Sequence, residues 1–381
     1  MATPLFIDIH ILQTVPPSNI NRDDTGSPKT ARFGGVKRAR VSSQAWKKAT
    51  RDLFSDVLEE NKIGQRTLYA ADLIAGFVAE LLPDADSDQA ATAAANALSA
   101  TGVKVEGKAT KYLLFVSPGQ AKALAELAVH SIETGEAIDK KAAKEILDVK
   151  KRPALNAVDI AMFGRMVADA PDLNVDASVQ VAHAIGIGKM EPEFDYFTAM
   201  DDRSPEDTAG AAMIETTEFT SATMYRYANI DVFHLCENLG SARAACKGVE
   251  AFLRAFTMSM PTGKQNSFAN RTLPAAVVIQ LRNTQPVSLV NAYEKPVEAR
   301  SGKSQVEIGC ERLAAQEKAI DAAFGTTPLK TFVIAASPDA EGLSSFSPEV
   351  SPCNLATAIS GVSAECARYL DECGYQFEGE D

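Results

Sequence analysis

The order of strand-like and helix-like segments restricts the fold of this chain more than any other feature of its sequence. The segment LFIDIHILQTV (residues 5–15) alternates, with three isoleucines on one side and Asp8 and His10 on the other, which predicts a half-buried strand. Further strand-like segments lie at residues 217–232 and 274–283, whereas residues 65–150 are rich in alanine and leucine with helical periodicity. Strands from distant parts of the chain must meet in one sheet. We therefore expect a single α+β domain with a ferredoxin-like sheet that is interrupted by a helical insertion.

Positive charge is concentrated in one segment of an otherwise acidic chain. The 381 residues carry a net charge of -12, yet the segment TGSPKTARFGGVKRARVSSQAWKKATR (residues 25–51) holds eight basic residues and no acidic one. A run of this kind can be a solvated loop and helix start. However, eight like charges repel one another, and a phosphate backbone would relieve that repulsion. The segment therefore predicts a basic groove that binds a polyanion on an acidic body.

The other residues of the basic segment also suit phosphate groups. Gly34 and Gly35 allow a ligand backbone to approach closely. Ser42, Ser43 and Gln44 supply neutral donors, and either serine can cap the helix that follows. The free N–H groups of a helix N-terminus favour anions, so this position strengthens the prediction of an anion site.

The helix predicted over residues 41–62 has two distinct faces. Lys47 and Arg51 are four residues apart and share one face, with Lys48 beside them. The apolar face, which should pack on the sheet, consists of Trp46, Ala49, Leu53 and Val57.

The paired acids Asp23 and Asp24 offer two interpretations. In a loop beside a basic patch they could hold a metal ion or assist RNA cleavage. They could equally form a turn with local side-chain hydrogen bonds. The turn is favoured, because no third carboxylate or histidine lies nearby in the sequence.

Several other classes of site are not supported by the sequence. The glycine–lysine loops at residues 186–190 and 261–266 lack the spacing of a P-loop, and the four histidines are dispersed. The six cysteines are scattered, which is typical of reduced thiols in a cytoplasmic protein and not of a zinc site. There is no recognisable leader and no apolar run of membrane-spanning length. We expect a soluble protein with no metal and no cofactor.

Three parts of the chain are harder to interpret from residues alone. Residues 186–215 have the glycines and prolines of an acidic loop, and the pattern weakens after residue 300. Met166 and Phe197, the latter in a predicted loop, would ordinarily be core residues.

Taken in order, these segments resemble the CasC family, the backbone subunit of type I-E CRISPR Cascade complexes. A joint match in this order is far more specific than any single motif, and it covers most of residues 5–297. The residues after 300 add little. The matching segments are FIDIH, NRDD, FGG, RVSSQ, KKATR, VDIAMFGRM, VAHAI, DYFTAMDD, TEFTSATMYRYANI, ENLG, PTGKQNSFA and VNAYEKPV.

The resemblance implies a hand-shaped protein. Its palm, an RNA-recognition-like and ferredoxin-like sheet, would consist of residues 1–60 and 217–300 and be completed by a poorly defined acidic region, residues 301–381. Residues 61–180 would form helical fingers, and residues 181–216 a thumb loop.

The resemblance also implies a function and a set of partners. Several copies would stack head to tail along guide RNA (crRNA), hold its backbone and displace bases at intervals, so that the spacer can pair with target DNA. Other Cascade subunits would be direct partners, and a recruited nuclease-helicase would be an indirect partner. The protein would then be a scaffold and not an enzyme. The alternative is an endoribonuclease, like the type III backbone subunits that cleave target RNA with a loop aspartate, for which Asp23 or Asp24 would serve.

The residues expected to contact RNA combine the basic segment with positions carried over from the family. The basic segment would hold the RNA backbone, whereas Met166 and Phe197 of two adjacent subunits would lie around the displaced base. The predicted contacts are Asn21, Arg22, Lys29, Lys37, Arg38, Arg40, Ser42, Ser43, Gln44, Lys47, Lys48, Arg51, Arg165, Met166, Phe197, Thr198, Lys264, Gln265 and Asn266.

Overall fold

A computed structural model describes residues 4–107, 109–199, 213–300, 302–346 and 353–375 of the chain. The fold is α+β with a central antiparallel sheet. The strands, in chain order, are β1 (Phe6–Ser18), β2 (Thr30–Phe33), β3 (Val36–Val41), β4 (Gln65–Thr67), β5 (Val105–Glu106), β6 (Ala109–Thr110), β7 (Leu114–Val116), β8 (Val179–Val181), β9 (Ala184–Gly186), β10 (Glu193–Ala199), β11 (Met213–Asp231), β12 (Ala276–Arg282) and β13 (Lys330–Ala335).

Helices occupy three regions: the end of the basic segment, the long insertion and the second half of the sheet domain. In chain order they are α1 (Ser43–Leu53), α2 (Ala70–Leu81), α3 (Ser87–Ala100), α4 (Pro118–Thr134), α5 (Lys140–Leu147), α6 (Val158–Phe163), α7 (Val232–Leu239), α8 (Ala242–Met258), α9 (Gln265–Phe268), α10 (Gln305–Phe324) and α11 (Leu355–Glu372).

The central sheet joins strands from distant parts of the chain, as predicted. Its order is β13, β12, β1, β11, β9, β3 and β2, and β8 and β10 also pair with β11. Both β11 and β12 run antiparallel to β1, which lies between them, so they are parallel to each other. The helices α7 and α8 connect them. This split β-α-β unit is typical of ferredoxin-like sheets and confirms the predicted fold class.

The first strand is buried on both faces, although the sequence predicts a half-buried strand. Asp8 and His10 are as inaccessible as the isoleucines between them. Asp8 accepts hydrogen bonds from Arg282 Nε (2.9 Å) and the Tyr227 hydroxyl (2.7 Å), and His10 Nδ1 lies 2.9 Å from the Tyr225 hydroxyl. The polar face of β1 is covered because α10 packs over it. The hydrogen-bonded network provides partners for most of the polar groups that are buried there.

An apolar layer covers each face of the sheet. On the isoleucine face of β1, the helices α1, α7, α8 and α11 contribute Trp46, Leu235, Phe252 and Val362 to one large core. On the opposite face, Tyr225 and Val278 pack with Leu313 of α10. The helix α1 is therefore fixed against the sheet through Trp46, with its polar faces left outward.

The helical insertion has a core of its own. The helices α2, α3, α4 and α5 pack together through the fully buried Ile74, Ala94, Leu124 and Leu147. The short antiparallel pair of β4 and β7, two strands that are distant in sequence, lies beside this core. The helical character predicted for residues 65–150 is thus confirmed.

Residues 193–199 form a strand where the sequence predicts a loop. The strand β10 pairs antiparallel with residues 213–219 of β11, in a register from Glu193↔Phe219 to Ala199↔Met213. We refer to this two-stranded element as the ribbon. Flanking prolines and acidic residues hide its alternation in the sequence. Residues 200–212 of the predicted thumb loop lie outside the described residues.

The region after residue 300 contributes two helices and an edge strand to the sheet domain, where the sequence predicts a poorly defined acidic region. The strand β13 pairs with β12, and α11 packs into the main core through Ala358, Val362 and Leu370. Gly361 lies in the middle of α11, and a Cβ atom there would come within 2.4 Å of the Phe332 ring. Close packing therefore requires this helix-weakening glycine.

Candidate nucleic-acid interface

Two asparagines fold the basic segment against the sheet. The Asn19 side chain donates to the carbonyl oxygens of Gly26 and Glu218, each at 2.9 Å. Asn21 Oδ1 accepts from the backbone N–H of Ser42 at 2.9 Å, and its carbonyl accepts from Lys29 N–H at 2.8 Å. These hydrogen bonds hold together the loop, the start of α1 and the base of the ribbon. Asn21 therefore contributes to the structure of this region through contacts within the chain.

The N-terminus of α1 lies at the centre of this region. The Ser42 side chain is buried and caps α1 by accepting from Ala45 N–H, so Ser42 and not Ser43 is the capping residue. Ser43 is partly exposed and Gln44 is exposed. The helix ends at Leu53, earlier than the predicted residue 62, and continues in single 3-10 turns.

A cationic cluster lies in the basic segment, where β3 pairs with β9. Arg40 Nη1 is 3.2 Å from His183 Nδ1, and the Arg40 backbone N–H donates to the carbonyl of Lys29. Partial burial lowers the pKa of His183, and the nearby Arg40 and Lys29 lower it further. His183 was not among the predicted contacts; the VAHAI segment was the signal that could have indicated it. An anion here would find two cations and a histidine that it could help to protonate.

Two arginines among the predicted RNA contacts face the interior of the protein. Arg38 is fully buried, and its guanidinium donates to the carbonyls of Phe33, Gly186, Ile187, Tyr293 and Glu294. Arg165 is also buried and donates to the carbonyls of Leu147, Leu173 and Phe115. These side chains join segments of the backbone and are removed from any surface that a polyanion could reach.

The charge of the basic segment is partly balanced by acidic residues outside residues 25–51. Lys48 pairs with Asp52 on the exposed side of α1, and Arg51 pairs with the buried Asp159. The excess positive charge of the segment is therefore smaller than residues 25–51 alone indicate. Lys29, Arg32, Lys37, Arg40 and Lys47 make no ion pair with a carboxylate of the described residues.

Met166 and Phe197 are surface residues. The side chain of Met166 is 80% exposed and that of Phe197 is 39% exposed. Phe194, Tyr196 and Thr198 of the same strand are exposed as well. The ordinary interpretation of a methionine and a phenylalanine as core residues is therefore wrong for both.

The glycine–lysine loop at residues 261–266 is attached to the base of the ribbon. Lys264 Nζ lies 3.2 Å from Thr217 Oγ1, and a Cβ atom on Gly263 would come within 2.3 Å of the Ile20 carbonyl. Lys264 has a φ of 50°, which a non-glycine residue rarely adopts. The structure thus places Lys264 beside the base of the ribbon, with Gln265 and Asn266 next to it in α9.

Asp23 forms the turn that the sequence favours. Its Oδ1 accepts from the backbone N–H groups of Thr25 (2.9 Å) and Ser27 (3.1 Å) and from the Thr25 hydroxyl (2.6 Å). These hydrogen bonds, that of the hydroxyl first, lower the pKa of Asp23. Asp24 is exposed beside it, as is Arg22.

The described ranges are expected to hold no metal site and no membrane span. They contain no group of three or more His, Cys, Asp or Glu residues placed to hold a metal ion. In the same part of the chain, no helix has both the length and the apolar character needed to cross a bilayer.

The chain belongs to the family of CT1975-like proteins, which it matches over residues 7–356. Among solved structures it is similar to a chain of a "CRISPR RNA-guided surveillance complex, pre-nicking", with 31% identity, a TM-score of 0.79 and coverage of 95% of this chain and 100% of the other. A chain of a further "CRISPR RNA-guided surveillance complex" is 26% identical, with a TM-score of 0.71 and coverage of 94% and 99%. No curated protein sequence matches the chain.

Proposed function

We propose that this protein is the guide-RNA-binding backbone subunit of a CRISPR surveillance complex, specifically of the type I-E Cascade. The observation that carries the proposal is the full-length similarity to a chain of an RNA-guided surveillance complex. The motif order of the CasC family supports the finer assignment. An exposed cationic surface at the start of α1 gives the chain the chemistry that RNA binding needs.

The guide RNA is held through its backbone. Lys29, Lys37 and Arg40 bind phosphates beside β3, and the N-terminus of α1 offers backbone N–H groups with Gln44 at its edge. Lys47 continues this surface one turn along α1. Contacts to phosphate and sugar carry no sequence information, which suits a guide whose spacer varies.

The ribbon and Met166 serve contacts between copies. A two-stranded ribbon with exposed aromatic side chains is marginal by itself and calls for a partner surface. In a head-to-tail stack, Phe197 of one copy and Met166 of the next flank a displaced base of the guide. Short segments of the guide between such bases then pair with target DNA.

The protein is a scaffold in this scheme, located in the cytoplasm with the other Cascade subunits. The Asp23 carboxylate is engaged in its own turn, which argues against a role in RNA cleavage. Cutting of target DNA falls to a separate, recruited nuclease-helicase.

The test is to purify the tagged protein with its native RNA and to sequence what it retains. We expect a discrete short RNA with CRISPR-repeat sequence, and a shift from monomer to multimer by size-exclusion chromatography when that RNA is added. A monomer that retains no such RNA would contradict the proposal. Regularly spaced cleavage of complementary RNA with a divalent metal, lost in Asp23→Ala or Asp24→Ala, would favour the endoribonuclease alternative.

A further inference from the structure

A second cationic cluster lies where α1 meets the β4–β7 strand pair and the end of α6. The guanidinium carbons of Arg51 and Arg66 lie 4.6 Å and 4.8 Å from the centre of the Phe115 ring. Lys47 Nζ lies 5.7 Å from the centre of the Phe163 ring. Three cations therefore share a surface with two aromatic rings, and Arg66 is absent from the contacts that the sequence predicted.

Arg51 is committed to the fold. Its Nε donates to Asp159 Oδ2 at 2.7 Å, and its Nη2 donates to the carbonyl of Gly64 at 3.0 Å. The Gly64 N–H in turn donates to Asp159 Oδ1 at 2.8 Å. A Cβ atom on Gly64 would come within 3 Å of the Phe115 and Ile160 side chains, so a glycine is needed for this closure. Arg51 thus positions the segment that carries Arg66, and its charge is matched.

Arg66 and Lys47 are not matched in this way. Neither makes an ion pair with a carboxylate in the part of the chain that the structure describes. Partial burial lowers the pKa of both groups, Arg66 lowers the pKa of Lys47 further, and Arg51 lowers that of Arg66. Asp159 opposes this effect at Arg66 but is already engaged with Arg51. Two mutually repelling cations that have no carboxylate partner of their own make a favourable seat for an anion.

We propose that Arg66 and Lys47 form a binding site, here called the phosphate seat, for one phosphodiester group of the guide RNA. This inference rests on the proposed function and extends it. Lys47 is three residues from Gln44, so both lie on one side of α1, and Arg51, one turn further along α1, shares the Phe115 ring with Arg66. The Arg66 guanidinium can bind two phosphate oxygens at once. Arg165, which precedes Met166, donates to the carbonyl of Phe115 at 3.4 Å. The seat therefore neighbours the segment that presents Met166.

The test is a fluorescence titration of a labelled guide RNA at several salt concentrations, with Arg66→Gln, Lys47→Gln and Arg66→Lys. We expect Arg66→Gln to weaken binding roughly tenfold and to reduce the log–log salt slope by about 0.7. Arg66→Lys should restore the slope but only part of the affinity, because the two-pronged contact is lost. The matched control is Arg254→Gln, an exposed arginine of α8, which should bind normally.

The possible results distinguish a failure of the phosphate seat from a failure of the proposed RNA-binding function. If Arg66→Gln binds like the wild type while Arg40→Gln is weakened, the phosphate seat is wrong and the RNA-binding function stands. If Arg66→Gln lowers only the association of RNA-free copies, the seat accepts a protein carboxylate and the inference is overturned. If the wild type itself retains no guide RNA, the proposed function fails with it.

Discussion

Arg51 and Asp159 are 108 residues apart in sequence and form an ion pair of 2.7 Å between α1 and α6. The Asp159 side chain is completely buried, whereas that of Arg51 is 22% exposed. The pair joins the helix that begins at the basic loop to the segment that leads to Met166. Arg51, which the sequence predicts to be an RNA contact, therefore holds two segments of the fold together.

The two partners of this ion pair should differ in their contribution to stability. Arg51→Met leaves a buried carboxylate without its cation and should cost about 3–5 kcal/mol. Asp159→Asn leaves an arginine that water can still reach, and should cost less, about 1–3 kcal/mol. Urea unfolding of the RNA-free protein measures both. An equal or reversed order would show that the buried carboxylate is solvated or protonated in the fold.

Binding of guide RNA should depend on salt through the partly exposed cations Lys29 and Arg40 of the basic segment. Lys29→Gln and Arg40→Gln should each weaken binding and reduce the log–log salt slope by about 0.7, the value for one phosphate contact on a single strand. The matched control is Lys318→Gln, an exposed lysine of α10, which packs on the opposite face of the sheet. Equal slopes for all three variants would show that RNA lies elsewhere.

Met166→Ala and Phe197→Ala should leave the RNA-free protein almost as stable as the wild type, because both side chains are exposed. The fully buried Phe252 is the contrasting control, and Phe252→Ala should cost about 3–5 kcal/mol. Thermal melts compare the three variants. Assembly on guide RNA should instead be impaired in the two exposed variants. Normal assembly in both would remove these residues from the interface.

Acid should destabilise the protein through His10. Burial first, and Arg282 second, lower the pKa of His10 to about 3. The folded pKa lies below the unfolded value near 6.5, so the stability contribution is complete above about pH 6.5 and is lost as the pH falls toward 3, by up to about 1.4 kcal/mol per pH unit. The measurement is urea unfolding of the wild type and His10→Gln from pH 7 to pH 5.

The difference in stability between the wild type and His10→Gln should shrink over that pH range, because the variant has no buried imidazole to protonate. A constant difference between the wild type and His10→Gln would show that His10 does not govern acid sensitivity.

The sequence predicts the architecture well where local pattern and burial agree. The strand β1 and the helices of residues 65–150 are both observed, although β1 is buried on both faces. It does not predict α11, because Gly361 and several β-branched residues lower helix propensity there, and the packing of Phe332 on Gly361 outweighs that loss. The polar face of β1 was misjudged because Arg282, the partner of Asp8, lies 274 residues away.

At the interface, too, partners that are distant in sequence limit what the sequence can predict. A local count of charges finds the basic segment but cannot distinguish Lys29 from Arg38, whose carbonyl partners at Gly186 and Tyr293 are 148 and 255 residues distant. Arg66 was overlooked for the related reason that its aromatic neighbour, Phe115, comes from another strand. Charge content is a property of the segment, whereas exposure is a property of the tertiary structure.

The ribbon and the sheet share a single strand. β11 runs from Met213 to Asp231 without interruption, its first residues paired with β10 and the rest beside β1. At about 3.4 Å per residue it is a rod of roughly 60 Å. A strand cannot bend sharply without losing its pairing, and the register shift between Val15 and Ser18 lies at the point where the ribbon leaves β1. One continuous strand thus ties the ribbon to the sheet, so that in the proposed stack of copies the direction of the ribbon would follow the twist of each subunit's own sheet.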